Sequence, residues 1–152
     1  MFKRALSRVA MGGVVLLVVG LGGAIASPTA PDSPLGLWTT ASGHGVIAID
    51  ACGDALCGRI VGIDRARAEP MPTDVHGQSQ CGLTIITNER PDGSGIWLGH
   101  VTDPRDGSTY DAKIWLESGD LHLRGYIGIP LLGATQVWHP FTGHLTEDCG
   151  IA

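Results

Sequence analysis

Eight short runs of branched and aromatic residues, separated by turn-forming residues, constrain the fold of this chain more than any other sequence feature. Each run is four to eight residues long, which is the length of a β-strand. The stretches between them are rich in Gly, Pro, Asp and Ser, which favour tight turns. We therefore expect consecutive antiparallel hairpins. The runs cover residues 37–40, 46–51, 56–63, 83–87, 96–102, 109–116, 121–127 and 135–138.

Two of these runs alternate between apolar and polar residues, as a sheet with one buried face requires. In the run 121–127 the apolar residues occupy the odd positions. In the run 109–116 Trp115 shares a face with charged residues, so it lies either outside the sheet or in a partly polar interior. The two faces of that run carry Tyr110, Ala112, Ile114 and Leu116 on one side and Asp111, Lys113 and Trp115 on the other.

An all-β fold follows, and a small antiparallel meander barrel of about eight strands is the architecture that buries the sheet edges most fully. A β-sandwich is the alternative. A barrel of this size is either filled by side chains or just wide enough for one small ligand. Residues 64–80 are polar and contain two prolines, and they predict a long loop with a short helical turn near residues 65–69.

Length and charge limit the classes of function. The chain has 152 residues, which fits one domain, and 15 acidic against 10 basic residues give a formal charge of −5. Binding to nucleic acid is not expected, because no basic surface is available to neutralise phosphates.

The first 26 residues have the features of a secretory signal peptide, namely basic residues, an apolar run and the small-residue segment Ala24-Ile25-Ala26. The apolar stretch 11–26 contains five glycines and is shorter than the roughly 20 residues of a membrane span. We expect cleavage after Ala26, which would change the net charge from −5 to −8 by removing Lys3, Arg4 and Arg8. Residues 27–34 are expected to be a flexible leader, 35–140 the barrel and 141–152 a C-terminal tail. The expected location is the periplasm or the cell exterior, with no membrane span after signal removal.

All four cysteines lie in the part that would be exported, where an even number favours disulfide bonds. Three pairings are open. Cys52 and Cys57 flank a four-residue loop that would bring them together on a hairpin, so we favour this pair and, with it, Cys81–Cys149. Zinc or redox sites need closer pairs such as C-x-x-C, which are not present in the sequence.

Several segments resemble the exported bacterial family grouped as domain of unknown function 2147. They run from Gly36-Leu37-Trp38 and Cys52-Gly53-Asp54-Ala55-Leu56-Cys57-Gly58-Arg59 through Asp103-Pro104-Arg105-Asp106-Gly107 to Leu123-Arg124-Gly125-Tyr126 and Gln136-Val137-Trp138. The resemblance implies a small lipocalin-like barrel without established catalytic residues. It also implies structural roles for Gly36, Trp38 and Trp138. The family's usual arginine after the last tryptophan is replaced here by Pro140, so Arg59 or Arg124 is expected to take its place beside Trp38.

The leading functional hypothesis is a barrel that binds or carries a small apolar molecule, with the loop 64–80 as a lid. The alternative is a ligand-free envelope or interaction protein with a packed interior, whose protein partner the sequence does not identify. No enzymatic activity, metal or cofactor is expected, because the six histidines lack ligand spacing and no nucleophile motif occurs. The candidate ligand-binding residues are Trp97, Trp115, Arg59, Arg124 and Tyr126.

Overall fold

A closed barrel of eight antiparallel strands, each hydrogen-bonded to the next in sequence, forms the domain. The computed structural model describes residues 33–152. A 3₁₀ helix at Pro130–Leu132 precedes the last strand. The strands are β1 (Gly36–Thr39), β2 (Gly45–Cys52), β3 (Ala55–Ile63), β4 (Thr84–Pro91), β5 (Trp97–Thr102), β6 (Thr109–Glu117), β7 (Asp120–Tyr126) and β8 (Ala134–Pro140).

The barrel closes where β1 pairs with β8, through the residue pairs Trp38–Pro140 and Thr39–His139. This closure confirms the predicted meander barrel over the sandwich, since a sandwich would leave two separate sheets. One end of the barrel carries the short turns β2–β3, β4–β5 and β6–β7, and we call it the turn end. The opposite end carries the long loop between β3 and β4, and we call it the loop end.

The interior is filled by apolar side chains from the inward-facing positions of the strands. Their alternation with outward-facing residues is the two-residue period that the sequence predicts. Gly58 shows how closely the interior is packed, because a Cβ atom at this position would lie 2.9 Å from the Ile86 side chain. The buried core includes Trp38, Ile47, Ile49, Leu56, Ile60, Ile86, Ile114, Leu121, Leu123 and Trp138.

The C-terminal segment 141–152 covers the outside of the first three strands. Phe141 continues the β1–β8 pairing by donating its N–H to the Leu37 carbonyl at 2.9 Å. Further along, Ile63 donates its N–H to the Cys149 carbonyl at 2.7 Å. A Cβ atom at Gly62 would lie 2.7 Å from Leu145, so this glycine allows the segment to lie against β3. Val46 is fully buried on this outer side.

The long loop (residues 64–83) packs against the loop end of the core through the partly buried side chains of Ala68, Met71 and Leu83. Its first residues form a hydrogen-bonded turn, in which Arg67 donates its N–H to the Asp64 carbonyl, and not the helical turn expected from the sequence. The loop therefore covers one end of the lumen.

Two disulfide bonds confirm the favoured pairing. Cys52–Cys57 links the two strands of the β2–β3 hairpin, with the Cα atoms 5.8 Å apart. Cys81–Cys149 ties the end of the long loop to the C-terminal segment, with the Cα atoms 5.9 Å apart.

The fourth strand is longer than the sequence predicts. The apolar run ends at Thr87, but β4 continues to Pro91 through a register irregularity between Thr87 and Arg90. The sequence does not predict this extension, because Asn88-Glu89-Arg90 is polar. The irregularity turns Glu89 toward the interior.

The predicted signal peptide 1–26 and most of the predicted leader 27–34 lie outside the described residues.

We predict that Trp38→Ala lowers the free energy of unfolding by about 3 to 5 kcal/mol, the range for truncating a large buried aromatic residue. Trp38 is 2 % exposed, and its indole N–H donates to the Pro34 carbonyl at 2.7 Å. Urea unfolding measures the change. Leu37→Ala is the control, because Leu37 is 40 % exposed on the same strand. Equal losses in the two variants would contradict the placement of Trp38.

We also predict that removing Cys81–Cys149 costs more stability than removing Cys52–Cys57. The first bridge spans 68 residues and the second five. By restricting the unfolded chain, the first is expected to stabilise the fold by about 4 kcal/mol and the second by about 2 kcal/mol. Denaturant unfolding of the two Cys→Ser double variants tests the order. A larger loss for the short bridge would show that its effect does not come from chain entropy.

Candidate functional site

One acidic side chain lies inside the apolar barrel. Glu89 on β4 faces Leu56 on β3 and is completely buried. Neither carboxyl oxygen has a hydrogen-bond partner among the described residues. Two residues further along β4, Pro91 pairs with Trp97 at the start of β5. Glu89 is therefore close to the β4–β5 turn, and its carboxyl lies toward the turn end of the lumen.

Burial raises the pKa of Glu89 to about 8, since the apolar surroundings disfavour the charged form and no basic residue offsets that cost. At neutral pH the side chain is therefore mostly a protonated carboxylic acid, with one O–H donor and free acceptor capacity. The adjacent Arg90 does not stabilise the charged form of Glu89, because it forms an ion pair with Asp54 outside the barrel. Glu89 can hydrogen-bond to a polar group that enters the lumen.

The structure places one of the five candidate ligand-binding residues, Trp97, on the core side, where it packs against the buried cluster. The three structural candidates lie on β1 and β8. Gly36 has a φ of 127°, which favours glycine. Trp38 and Trp138 are each 2 % exposed in the core, and the Trp138 indole donates to Gln136 Oε1 at 2.9 Å.

The other four candidate ligand-binding residues point away from the lumen, because the strand alternation turns them outward. Arg59 lies opposite Ala48 and pairs with Asp50 at 3.5 Å. Arg124 lies outside β7 and makes its hydrogen bonds to the segment 130–135. Neither arginine takes the expected position beside Trp38. Trp115 and Tyr126 share this outer side.

The outer side of β6 and β7 nevertheless forms a groove of about 440 Å³. Trp115 stacks on His122 of the neighbouring strand, with ring centroids 5.1 Å apart and an angle of 23° between the planes. The groove thus brings together two of the predicted ligand-binding residues, Trp115 and Arg124, but on the outside of the barrel. Its walls are Ser94, Gly95, Ile96, Lys113, Trp115, Leu116, Arg124 and Pro130.

Four histidines each lie next to one carboxylate. In residues 33–152 no group of three or more His, Cys, Asp or Glu side chains is placed to hold a metal ion. The pairs are His44–Asp64, His100–Asp111, His122–Glu117 and His139–Asp120.

Comparison with known proteins supports the barrel assignment. A family model described as an uncharacterized protein conserved in bacteria (DUF2147) matches residues 36–140. A solved structure of the Helicobacter pylori protein HP1028, described as belonging to the lipocalin family, is similar with a TM-score of 0.59. It has 16 % sequence identity, and the match covers 72 % of this chain and 84 % of that protein. No curated protein matches the chain.

Across residues 33–152 the structure has no helix long and apolar enough to cross a membrane.

We predict that Glu89 makes the protein less stable as the pH rises. The unfolded chain ionises this group above about pH 4.5, whereas the folded chain keeps it protonated up to about pH 8. The contribution of Glu89 to stability is therefore complete below pH 4.5 and is lost as the pH rises to 8, by an amount on the order of 5 kcal/mol.

Urea unfolding of wild type and Glu89→Gln at several pH values measures this effect, because the difference between the two curves cancels the other titrating groups. The stability of wild type relative to Glu89→Gln is expected to fall across this window. A difference that is independent of pH would show that Glu89 is ionised or solvated in the folded protein.

Proposed function

We propose that this chain, which belongs to the DUF2147 family of proteins conserved in bacteria, is an exported lipocalin-like protein that binds a small, largely apolar molecule in its lumen. The lumen supplies the apolar contacts and the Glu89 carboxyl supplies a polar contact. The role is binding and not catalysis. The observation that carries the proposal is the unpartnered, fully buried carboxyl of Glu89 in a wall of apolar side chains.

The buried carboxyl favours ligand binding over a purely structural interior. Nearly all buried polar groups in folded proteins have a hydrogen-bond partner, and an unpartnered group costs about 1 to 3 kcal/mol. An apolar residue at position 89 would fill the same space without that cost. A ligand with a hydroxyl group would both donate to and accept from the protonated carboxyl, and so remove the penalty.

The long loop is the proposed lid. Ala68 and Met71 pack against the core from the loop end, and the Cys81–Cys149 bond fixes the end of the loop. The segment between residue 64 and this bond can move without breaking a strand pairing of the barrel. Glu89 lies toward the opposite end of the lumen, so a ligand that enters past this lid reaches it only when core side chains between the two ends move aside.

An extracytoplasmic location agrees with the two disulfide bonds, since such bonds persist in oxidising compartments. The predicted signal peptide in residues 1–26 would supply the export route. Periplasmic and secreted forms are both compatible with these features.

A second candidate function is that of an interaction protein with a permanently packed barrel. The close contact between Gly58 and Ile86 favours it, because this part of the lumen has no free space. The two functions differ in one measurable property, which is whether an apolar molecule enters the barrel.

We predict that the wild-type protein binds the neutral fluorescent probe N-phenyl-1-naphthylamine and that decan-1-ol displaces it more effectively than 1-methoxydecane. The alcohol both donates to and accepts from Glu89, whereas the ether only accepts. One hydrogen bond of about 1 kcal/mol corresponds to a preference of about fivefold. The displacement titration measures that preference directly.

The preference is expected to disappear in Glu89→Leu and to remain in Glu117→Gln, which changes an exposed carboxyl outside the barrel. If wild type fails to bind the probe, the packed interaction protein is the correct function. A preference that survives in Glu89→Leu would show that the lumen binds ligands without Glu89.

A further inference from the structure

The outer groove contains the two basic side chains that lack an acidic partner among residues 33–152. This part of the chain has seven basic residues, and five of them, all arginines, have a carboxylate oxygen within hydrogen-bonding or ion-pair distance. Lys113 and Arg124 have none among the described residues. The five pairs are Arg59–Asp50, Arg65–Glu69, Arg67–Asp64, Arg90–Asp54 and Arg105–Asp103.

Lys113 and Arg124 also face each other directly across the β6–β7 pairing. Like charges in opposite positions on neighbouring strands destabilise a sheet. The protein carries more acidic than basic residues, yet no described carboxylate neutralises this pair. The groove therefore holds a local excess of positive charge that an anion would compensate.

The guanidinium of Arg124 is held in place by hydrogen bonds within the protein. Arg124 Nε donates to the Pro130 carbonyl at 2.7 Å, Nη1 to Thr135 Oγ1 at 2.8 Å and Nη2 to the Leu131 carbonyl at 3.3 Å. All three acceptors are neutral. A guanidinium has five N–H groups, so one on each terminal nitrogen remains for a ligand, together with the three of the Lys113 ammonium.

An aromatic surface lies beside these donors. Trp115 is half-buried between Lys113 and the β4–β5 turn, and its stacking on His122 fixes the ring plane. Ile96 contributes an aliphatic wall. The turn itself is held by Asp92, whose Oδ1 accepts from the Ser94 N–H and hydroxyl and the Ile96 N–H.

We propose that this groove binds a small aromatic carboxylate. The carboxylate is bound by Lys113 and the remaining N–H groups of Arg124, while the flat ring lies against Trp115 and Ile96. The volume of about 440 Å³ falls in the usual range for small-molecule sites. Three acidic residues share this outer side, and each lies beside a histidine and not beside Lys113 or Arg124. The pairs are Asp111–His100, Glu117–His122 and Asp120–His139. The site differs from the lumen, because Lys113, Trp115 and Arg124 lie on the outer face of the sheet; Leu116 at its edge also packs against the core.

The test uses 2-naphthoate as the probe and follows the indole N–H signal of Trp115 by nuclear magnetic resonance, assigned with Trp115→Phe. The neutral analogue 2-naphthalenemethanol and inorganic phosphate are titrated in parallel. We expect 2-naphthoate to shift the Trp115 signal and to bind at least tenfold more tightly than either comparison compound. Lys113→Gln should weaken the binding about tenfold, as expected for a hydrogen bond between charged groups.

Arg105→Gln is the matched control, since it removes one positive charge from a residue that already pairs with Asp103. It should leave the affinity unchanged. Lys113→Gln should also keep or raise the midpoint of thermal unfolding, because it removes a like-charge contact, so weaker binding cannot come from a loss of folding.

Three results would overturn the proposal. The first is that 2-naphthoate leaves the Trp115 signal unchanged. The second is that the alcohol or phosphate binds as tightly as 2-naphthoate, which would show that the ring or the carboxylate is not recognised. The third is an equal loss of affinity in Lys113→Gln and Arg105→Gln, which would show that binding depends on the net charge of the protein and not on Lys113 itself. None of these results bears on whether the lumen binds decan-1-ol.

Discussion

The pairing of β1 with β8 is the contact on which the barrel depends. β1 has four residues, and two of them form the pairs with β8 that close the sheet. Without this contact both strands would be open edges with unpaired backbone groups. Trp38 links closure to the core, because its backbone pairs with Pro140 while its ring is buried among the side chains that fill the lumen.

Once the barrel is closed, the two-residue period of each strand decides which side chains are inside. This constraint explains both candidate sites. Lys113 and Trp115 on β6 point outward because Ala112 and Ile114 are buried within. Glu89 points inward because an irregularity interrupts the simple alternation of β4. The outer groove follows from regular alternation, and the buried carboxyl follows from a departure from it.

The same distinction separates what the sequence predicts from what it does not. Strand number and the Cys52–Cys57 bond are predicted from local signals, namely run length, turn residues and the short cysteine spacing. Barrel closure follows from the need to bury the edges of a meander, and Cys81–Cys149 is the pair that remains. The shared face of Lys113 and Trp115 is also readable from alternation. Glu89 gives no such signal, because a glutamate between Asn88 and Arg90 looks like a solvated loop residue. The hydrogen-bond partners of Arg124 are equally difficult to predict, because two of them are the backbone carbonyl groups of Pro130 and Leu131, which any residue type would supply.

The two sites contain polar groups of opposite kinds that lack the partners such groups usually have. Inside, an acid lies in apolar surroundings and has no hydrogen-bond partner among residues 33–152. Outside, two basic groups have no acidic partner in the same part of the chain. Each arrangement costs folding free energy. An apolar residue at position 89, or an uncharged one at position 113 or 124, would relieve that cost. The Glu89 carboxyl suits an apolar ligand that carries one neutral polar group. The two cations beside the Trp115 ring suit a flat anionic ligand. The fold itself needs neither imbalance, because closure and packing depend on Trp38, the apolar core and the disulfide bonds.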